Sequence, residues 1–247
     1  MVAPLRGALK WEALPWPIKN NMTKDELSKY IDHTCLKPDA TRGMIDSVCQ
    51  EATEYGFKSV CVNPIWIRHV AEKLEGAPVL PCCVVGFPLG AGLTSIKALE
   101  AAECCALGAK EIDMVINIGA AKAQDWEGVM SDVAAVVTAV SGRAVVKAII
   151  EVRLLTDAEK IRACICAKEA GAGFVKTSTG FLGGGATVSD VRLMRSAVGD
   201  AIGVKASGGI RSYNDAIAMI QAGANRIGCS ASIAIINGID RRHNAET

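Results

Sequence analysis

The sequence predicts an α/β protein, a single (β/α)8 TIM barrel with a short N-terminal helix and an N-terminal extension. Eight short apolar segments alternate with helix-like segments, and continuous apolar runs of this length are typical of parallel strands buried on both faces. Four helix-like segments end at a glycine directly before an apolar segment, namely Gly56, Gly108, Gly171 and Gly223. The length of 247 residues suits a barrel that forms one domain.

The helices begin at recognisable caps. The segment 23–26 (TKDE) has the spacing of a capping box and predicts the short first helix. The same spacing recurs at 156–159, and at 187–190 and 212–215 with aspartate in place of glutamate. The predicted strands are, in order, YIDHT from residue 30, SVCVN from 59, VLPCCVVG from 79, EIDMVIN from 111, AVVKAIIE from 144, FVKTSTG from 174, IGVKASGG from 202 and RIGCSAS from 226.

These signals divide the chain into three parts. Residues 1–22 carry prolines and tryptophans without a clear period and are expected to be an extended or flexible extension. The barrel is expected to occupy residues 23–240, and residues 241–247 a C-terminal tail. A doubly wound open sheet is the main alternative, but it would be expected to carry a glycine-rich turn after its first strand. Here the first strand is followed by CLK, so the barrel is favoured.

Composition excludes several classes of function. A net charge of +1 and the lack of a basic block argue against a nucleic-acid partner. The longest apolar stretches are too short to cross a bilayer, so no membrane partner is expected. Ten cysteines occur partly as adjacent pairs, no secretory segment is recognised, and a cytoplasmic location is therefore expected. With three histidines and no CxxC or HExxH motif, no metal site is predicted.

Charged residues lie inside four consecutive predicted strands. Lys147, Lys176 and Lys205 are spaced 29 residues apart, and Asp113 lies in the strand before them with Asn117 on the same alternating face. In barrels of this type, the carboxyl ends of the strands surround the active site. Two close amines disfavour each other's charge, and a neutral amine can attack a carbonyl to form a Schiff base while a carboxylate relays protons. The alternative is that these groups are internal ion pairs or solvated strand ends.

Glycine-rich loops follow the sixth, seventh and eighth strands. Glycines let backbone N–H groups approach an anion, and phosphate sites in such barrels are commonly built by the loops after strands seven and eight. A flexible lid is the alternative for the first loop taken alone. The residues predicted to bind substrate from these loops are Thr177, Thr179, Gly183, Gly184, Ser207, Gly208, Gly209, Gly228 and Ser230.

Other candidates come from the first two strands. Thr34, with Asp32 and Lys37 beside it, is expected either to contribute to the site or to hold the first strand to its loop. Cys61 is a candidate pocket residue, and packing inside the barrel is its alternative. His33 is assigned no role.

The strings YIDHT–LKPDAT, SVCVNP, GFPLGA, EIDMVINIG, FVKTSTGF and GVKASGGIR together resemble the deoxyribose-phosphate aldolase family, in order from residue 30 to 232. The resemblance implies a class I aldolase that reversibly cleaves 2-deoxy-D-ribose 5-phosphate to D-glyceraldehyde 3-phosphate and acetaldehyde. It implies Lys176 as the Schiff-base lysine, Asp113 and Lys205 as the proton-relay pair, and the glycine loops as the phosphate site. It further implies no metal or organic cofactor and a homodimer or higher homo-oligomer. Phe181 stands where some members of the family have lysine.

Two other functions remain open at this point. A sugar-phosphate isomerase or epimerase would use a carboxylate or histidine base without an essential lysine nucleophile. A non-catalytic phosphosugar-binding barrel would need the glycine loops and no reactive amine.

Overall fold

The computed structural model describes residues 22–243, and the side chains of residues 241–243 are not described. Most of the predicted N-terminal extension (1–22) therefore lies outside the described residues. Eight parallel strands close into a barrel in the order of the sequence. The first strand pairs with the eighth, which confirms the predicted barrel and excludes the open sheet.

Each strand is short and buried, as the apolar runs predict. The predicted segments extend beyond the observed strands because their last residues form the loops at the carboxyl ends. The strands are β1 (Ile31–Cys35), β2 (Ser59–Val62), β3 (Leu80–Val85), β4 (Glu111–Val115), β5 (Val145–Ile149), β6 (Phe174–Lys176), β7 (Gly203–Ser207) and β8 (Arg226–Cys229).

The helices pack outside the strands, and their caps follow the predicted pattern. The N-cap side chains of Thr23, Thr156 and Ser212 form capping boxes, and Thr187 accepts a hydrogen bond from the backbone of Asp190. The helices are α1 (Lys24–Ser28), α2 (Arg42–Glu54), α3 (Ile67–Lys73), α4 (Thr94–Ala106), α5 (Ile118–Lys122), α6 (Trp126–Ala139), α7 (Asp157–Glu169), α8 (Val188–Val198), α9 (Tyr213–Gln221) and α10 (Ser232–His243). Helix α10 extends past residue 240, where the predicted tail begins.

The four glycines before strands adopt the left-handed conformation that their position requires. Their φ angles are 64° at Gly56, 109° at Gly108, 88° at Gly171 and 113° at Gly223. A residue with a Cβ is strained in this region of backbone space, so glycine at these positions lets each helix turn back toward the barrel.

The strand register places the charged residues side by side. Asp113 pairs with Lys147 across β4 and β5, and Lys176 pairs with Lys205 across β6 and β7. Their side chains occupy the barrel interior, while the apolar side chains of the strands and helices form the core around it. In residues 22–243, no helix has the length and apolar character needed to span a membrane.

Candidate active site

The barrel interior holds a buried cluster of charged side chains joined by ion pairs. Three of them are carboxylates and four are basic. A charge inside a protein is costly unless it is paired, so a cluster of this size requires mutual compensation. The members are Asp32, Glu111, Asp113, Lys147, Lys176, Lys205 and Arg226.

Asp113 lies at the centre of the cluster. Its Oδ1 accepts a hydrogen bond from Lys147 Nζ at 2.8 Å. Its Oδ2 accepts from both Lys176 Nζ at 2.8 Å and Lys205 Nζ at 2.6 Å. Burial alone would raise the pKa of Asp113, but the three ammonium groups outweigh burial and hold the pKa well below its ordinary value. Three lysines from three successive strands thus converge on one carboxylate, as the spacing predicts.

Arg226 anchors the deeper part of the cluster. Its guanidinium donates to Asp32, and to Glu111 Oε1 at 2.9 Å and Oε2 at 2.7 Å. Burial opposes the charge on both carboxyls, yet the pKa of Asp32 and that of Glu111 are lowered, first by Arg226 and then by the lysines. Sequence reasoning did not identify Glu111 or Arg226. The signal available was a charged residue at the first position of a buried strand, which is unusual for a position facing the core.

The two deepest lysines remain cationic. Burial disfavours their charge, but for Lys205 the carboxylates of Asp113 and Asp32 raise the pKa above its ordinary value. For Lys147, Asp113 has the largest raising effect and the pKa lies well above its ordinary value. At Lys147 and Lys205 the attraction of carboxylates outweighs the repulsion between amines, because each of these lysines contacts more than one carboxylate.

The number of carboxylate partners separates Lys176 from the other lysines. Four basic side chains share three carboxylates. Lys176 pairs with Asp113 alone, whereas Lys205 and Lys147 each pair with further carboxylates. Lys176 is also 3% exposed, against 0% for the other two lysines, and it borders a cavity. Lys176 is thus the lysine of the cluster that can meet a ligand.

The cavity has a volume of about 420 Å³ and opens at the carboxyl ends of β1, β6, β7 and β8. A volume of this size suits a small metabolite. Eight of the predicted site residues line it: Thr34, Lys176, Thr179, Ser207, Gly208, Gly209, Gly228 and Ser230.

The remaining predicted residues lie outside the lining, and any contact with substrate stays a prediction. Asp113, Lys147 and Lys205 lie behind Lys176 in the cluster. The Thr177 hydroxyl donates to the backbone oxygen of Ser207 at 3.0 Å and accepts from its N–H at 3.0 Å, so it joins two loops.

Asn117 caps helix α5, where its Oδ1 accepts from the backbone of Ala120. Gly183 and Gly184 belong to the loop after β6 and have φ angles of 78° and 73°. Cys61 is fully buried beside Cys82, which matches the packing alternative.

The glycine loops after β6 and β7 pack backbone against backbone. A Cβ added to Gly185 would lie 2.3 Å from the carbonyl oxygen of Gly208, closer than real Cβ contacts allow. The backbone N–H of Ala186 donates to the carbonyl oxygens of Ser207 and Gly208, both at 3.1 Å. Glycine at position 185 is therefore required for the two loops to form one wall of the cavity.

Arg211 and Phe181 line the cavity without having been predicted to bind substrate, whereas Lys37 was a candidate and does line it. Lys37 and Arg211 place two cationic side chains on the lining, and Phe181 lies near Phe87 with their ring centroids 5.1 Å apart. The signal for Lys37 and Arg211 was their place directly after the first strand and after the glycine pair of β7.

His33, which was assigned no role, also lines the cavity. Its Nδ1 lies 2.8 Å from Ser232 Oγ and its Nε2 lies 2.7 Å from Glu51 Oε2. Burial lowers the pKa of His33, while the carboxylate of Glu51 opposes this effect. The ring therefore links β1 to the start of α10 at the edge of the cavity.

One group of metal-type donors occurs in the described part of the chain. Donor atoms of Cys61, Cys82 and Asp113 lie within 4.8 Å of one another. Both oxygens of Asp113 already accept from ammonium groups, and the pKa of the Cys82 thiol is raised well above its ordinary value, first by burial. The arrangement favours ion pairing with lysines over binding of a cation.

Fold and site together define a (β/α)8 barrel enzyme that uses a lysine amine at the carboxyl ends of its strands. A family model of the DeoC/LacD family aldolases matches residues 27–238. The chain is 59% identical over 213 residues to a deoxyribose-phosphate aldolase of Streptococcus pneumoniae serotype 19F, covering 86% of this chain and 96% of that protein. It is 55% identical to a deoxyribose-phosphate aldolase of Enterococcus faecalis, covering 86% of this chain and 97% of that protein.

A solved structure of deoxyribose phosphate aldolase from Aeropyrum pernix superimposes with a TM-score of 0.82 at 34% identity, covering 88% of this chain and 92% of that one. The chain belongs to the DeoC/LacD aldolase family.

Proposed function

We propose that this protein is a deoxyribose-phosphate aldolase, which reversibly cleaves 2-deoxy-D-ribose 5-phosphate to D-glyceraldehyde 3-phosphate and acetaldehyde. The observation that carries the proposal is the placement of Lys176. Its amine borders the cavity and shares Asp113 Oδ2 with the buried ammonium of Lys205. Because Lys205 has a raised pKa, it places a fixed positive charge next to the amine that must be neutral to attack.

The proposed reaction begins when the Lys176 nitrogen attacks C1 of the open-chain sugar. Loss of water from the carbinolamine leaves an iminium, which accepts the electron pair of the C2–C3 bond. The C3 hydroxyl loses its proton as that bond breaks, and glyceraldehyde 3-phosphate leaves. The enamine is then protonated at C2, and hydrolysis of the resulting iminium releases acetaldehyde and the free amine. The iminium serves as the electron sink in this scheme, so the scheme needs no cofactor.

We assign the proton relay to Asp113 and Lys205. Asp113 is a weak base because its pKa is depressed, so its first role is to hold the ammonium groups around the reacting amine. Lys205 contacts the same oxygen as Lys176 and is therefore close to protons that leave or return at the iminium. Lys147 pairs with Glu111 and Asp113, and its positive charge compensates these carboxylates on the side of the cluster away from the cavity.

We assign the substrate phosphate to the side of the cavity formed by the loops after β6, β7 and β8. Gly208, Gly209, Gly228 and Ser230 line this side, and backbone N–H groups in such loops favour anions. Thr34, Thr179 and Ser207 are the neighbouring side chains assigned to substrate.

Two cations, Lys37 and Arg211, line the same cavity and favour a dianionic group by charge. Phe181 contributes an apolar side chain to the cavity wall. The positive charge on the cavity lining therefore comes from Lys37 and Arg211, which belong to other loops.

The geometry favours an aldolase over the two alternatives. A non-catalytic binding barrel gives no reason to bury four bases among three carboxylates behind one cavity-facing amine. An isomerase needs a carboxylate or histidine base at the substrate. Asp113 is buried behind Lys176. Glu51 lines the cavity, but its carboxylate is paired with His33, which is also held by Ser232.

The direct test is to reduce the enzyme with borohydride in the presence of acetaldehyde and to map the adduct by mass spectrometry. We expect a stable ethyl group on Lys176 and release of glyceraldehyde 3-phosphate in a coupled assay. Lys176→Ala should abolish both while the circular dichroism spectrum is retained. Lys122→Ala, which removes an exposed lysine paired with Glu159, is the matched control and should behave like the wild type. Turnover in Lys176→Ala would refute the assignment.

We also propose that the protein is a homodimer or higher homo-oligomer. The loop after β3 and helix α4 expose four large apolar side chains, those of Leu89, Leu93, Ile96 and Leu99. Apolar groups gathered on one element are typical of an interface, and the relative from Aeropyrum pernix is described as a tetramer. Light scattering should show an oligomer that Leu93→Glu weakens; a monomeric wild type would contradict the proposal.

We propose that residues 23–240 form the catalytic domain, with 1–22 and 241–247 as extensions, and the family match over residues 27–238 supports these limits. We propose a cytoplasmic location, which is supported by ten cysteines that are all free.

A further inference from the structure

Glu151 is a buried carboxylate that the proposed reaction does not use. It follows β5 at the carboxyl end of the strand and is fully buried. Its Oε2 accepts hydrogen bonds from the backbone N–H of Thr179 at 3.0 Å and from the Thr179 hydroxyl at 2.6 Å. Its Oε1 has no hydrogen-bond partner among residues 22–243. A buried carboxylate oxygen without a hydrogen-bond donor is unfavourable, so Glu151 lowers the stability of the folded protein at this position.

The backbone at Glu151 is also costly. Its φ and ψ angles are 53° and 68°, in the left-handed region. In the described part of the chain, Gln124 is the other non-glycine residue with positive φ, and it lies exposed between α5 and α6. A left-handed non-glycine residue costs about 1–3 kcal/mol and persists where surrounding contacts determine it. At Glu151 the determining contacts are those to the loop after β6.

Those contacts fix the segment that borders the cavity. The Thr179 hydroxyl donates a hydrogen bond to Glu151. This orients the lone pairs of the hydroxyl oxygen toward the backbone N–H of Phe181, from which the same oxygen accepts a hydrogen bond at 3.1 Å. The carboxylate, the hydroxyl and the Phe181 amide thus form one chain of hydrogen bonds. Thr179 and Phe181 both line the cavity. The side chain of Glu151 therefore determines how this part of the wall faces a ligand.

We infer that Glu151 is a positioning residue, which acts through Thr179 to hold the loop after β6 against the phosphate-bearing end of the substrate. The inference rests on the proposed function, because it uses the same phosphate end of the cavity. It assigns Glu151 no part in the chemistry at the amine, since Lys176 Nζ pairs with Asp113.

The test compares Glu151→Ala, Glu151→Gln, Thr179→Val and the double variant Glu151→Ala/Thr179→Val. The Gln side chain keeps an oxygen that can accept both Thr179 hydrogen bonds. Gln124→Ala is the control for a change at a left-handed residue remote from the cavity contacts. Thermal unfolding establishes that each variant is folded.

We expect Glu151→Ala and Thr179→Val each to raise the KM for deoxyribose 5-phosphate about tenfold or more, with a smaller change in kcat. Borohydride trapping of acetaldehyde on Lys176 should stay at the wild-type level in both. Because one residue acts through the other, the double variant should be no worse than Glu151→Ala alone. Glu151→Gln and Gln124→Ala should stay within about threefold of the wild-type KM.

An unchanged KM in Glu151→Ala, equal losses of kcat and trapping, or full additivity in the double variant would each overturn the inference. If Glu151→Ala does not fold, an unchanged KM in folded Thr179→Val overturns it. These outcomes differ from failure of the proposed function, in which the wild type itself releases no glyceraldehyde 3-phosphate.

Discussion

Replacing Lys205 by methionine tests the electrostatic origin of the nucleophile. Lys205 is fully buried and pairs with Asp32 Oδ2 at 2.5 Å and with Asp113 Oδ2 at 2.6 Å. Methionine fills similar space without charge. The variant would lose the ammonium group that lies next to the Lys176 amine and that pairs with two carboxylates. It should therefore lose the electrostatic setting in which the amine attacks the substrate.

The size of the effect follows from the distance between the amines. Lys176 and Lys205 contact the same oxygen of Asp113, so their nitrogens are near neighbours. Two like charges about 4–5 Å apart repel by about 3–4 kcal/mol at an effective dielectric constant of ~20. An interaction of this size corresponds to a factor of about 10²–10³ in a rate or equilibrium constant. We expect kcat/KM to fall by that factor or more, since the proton relay is lost as well.

The assay is coupled detection of glyceraldehyde 3-phosphate over a series of pH values. The pH profile of Lys205→Met should differ from that of the wild type, because the positive charge next to the nucleophile is lost. Lys97→Met is the matched control. Lys97 is a buried lysine whose Nζ pairs with Asp132 at 2.7 Å outside the barrel interior, so its loss should lower stability without changing the pH profile. Wild-type activity and an unchanged pH profile in Lys205→Met would refute the reasoning.

Two further predictions concern the loops and the buried carboxylates. Gly185→Ala places a Cβ 2.3 Å from the carbonyl oxygen of Gly208, so the loops after β6 and β7 must separate. Steady-state kinetics should show a several-fold rise in KM, whereas Gly43→Ala, in α2 with no atom within 4 Å, should keep the wild-type KM and gain about 0.5–1 kcal/mol of stability. The folded-state pKa values of Asp32, Glu111 and Asp113 lie below their ordinary values, so in acid the unfolded chain binds more protons than the folded one. Urea unfolding should show stability that is full above the ordinary carboxyl pKa values of 3.8 and 4.5 and falls as pH drops below them; constant stability through that range would contradict this.

Much of the fold and part of the site could be predicted from local sequence signals. Apolar runs and helix caps depend on residues that are near one another in sequence, so they identified eight strands and the helix starts. The rule that strand ends surround the site then grouped Asp113 with the three lysines. The glycine pair after β7, Gly208 and Gly209, and the single Gly228 near the end of β8 were predicted in the same way, and they line the cavity.

The rest depends on contacts between distant segments. Arg226 contacts Asp32 across 194 residues and Glu111 across 115 residues, which closure of the barrel makes possible. Glu151 lies beneath Thr179 because two neighbouring loops turn toward each other. Neither contact has a periodic or local signature.

The sequence by itself determined the barrel and the set of lysine amines. The strands recur at a regular spacing, so residues with the same spacing lie at the same level of the barrel. Spacing alone left Lys147, Lys176 and Lys205 as three similar lysines on successive strands, and the family resemblance gave Lys176 and Lys205 different roles without a physical cause. The tertiary structure supplied that cause, since burial and the number of carboxylate partners differ among the three lysines. Lys205 and Lys147 are fully buried and multiply paired, whereas Lys176 contacts one carboxylate and reaches the cavity. That difference arises from the closed barrel, which gathers Asp32, Glu111 and Arg226 around two of the lysines.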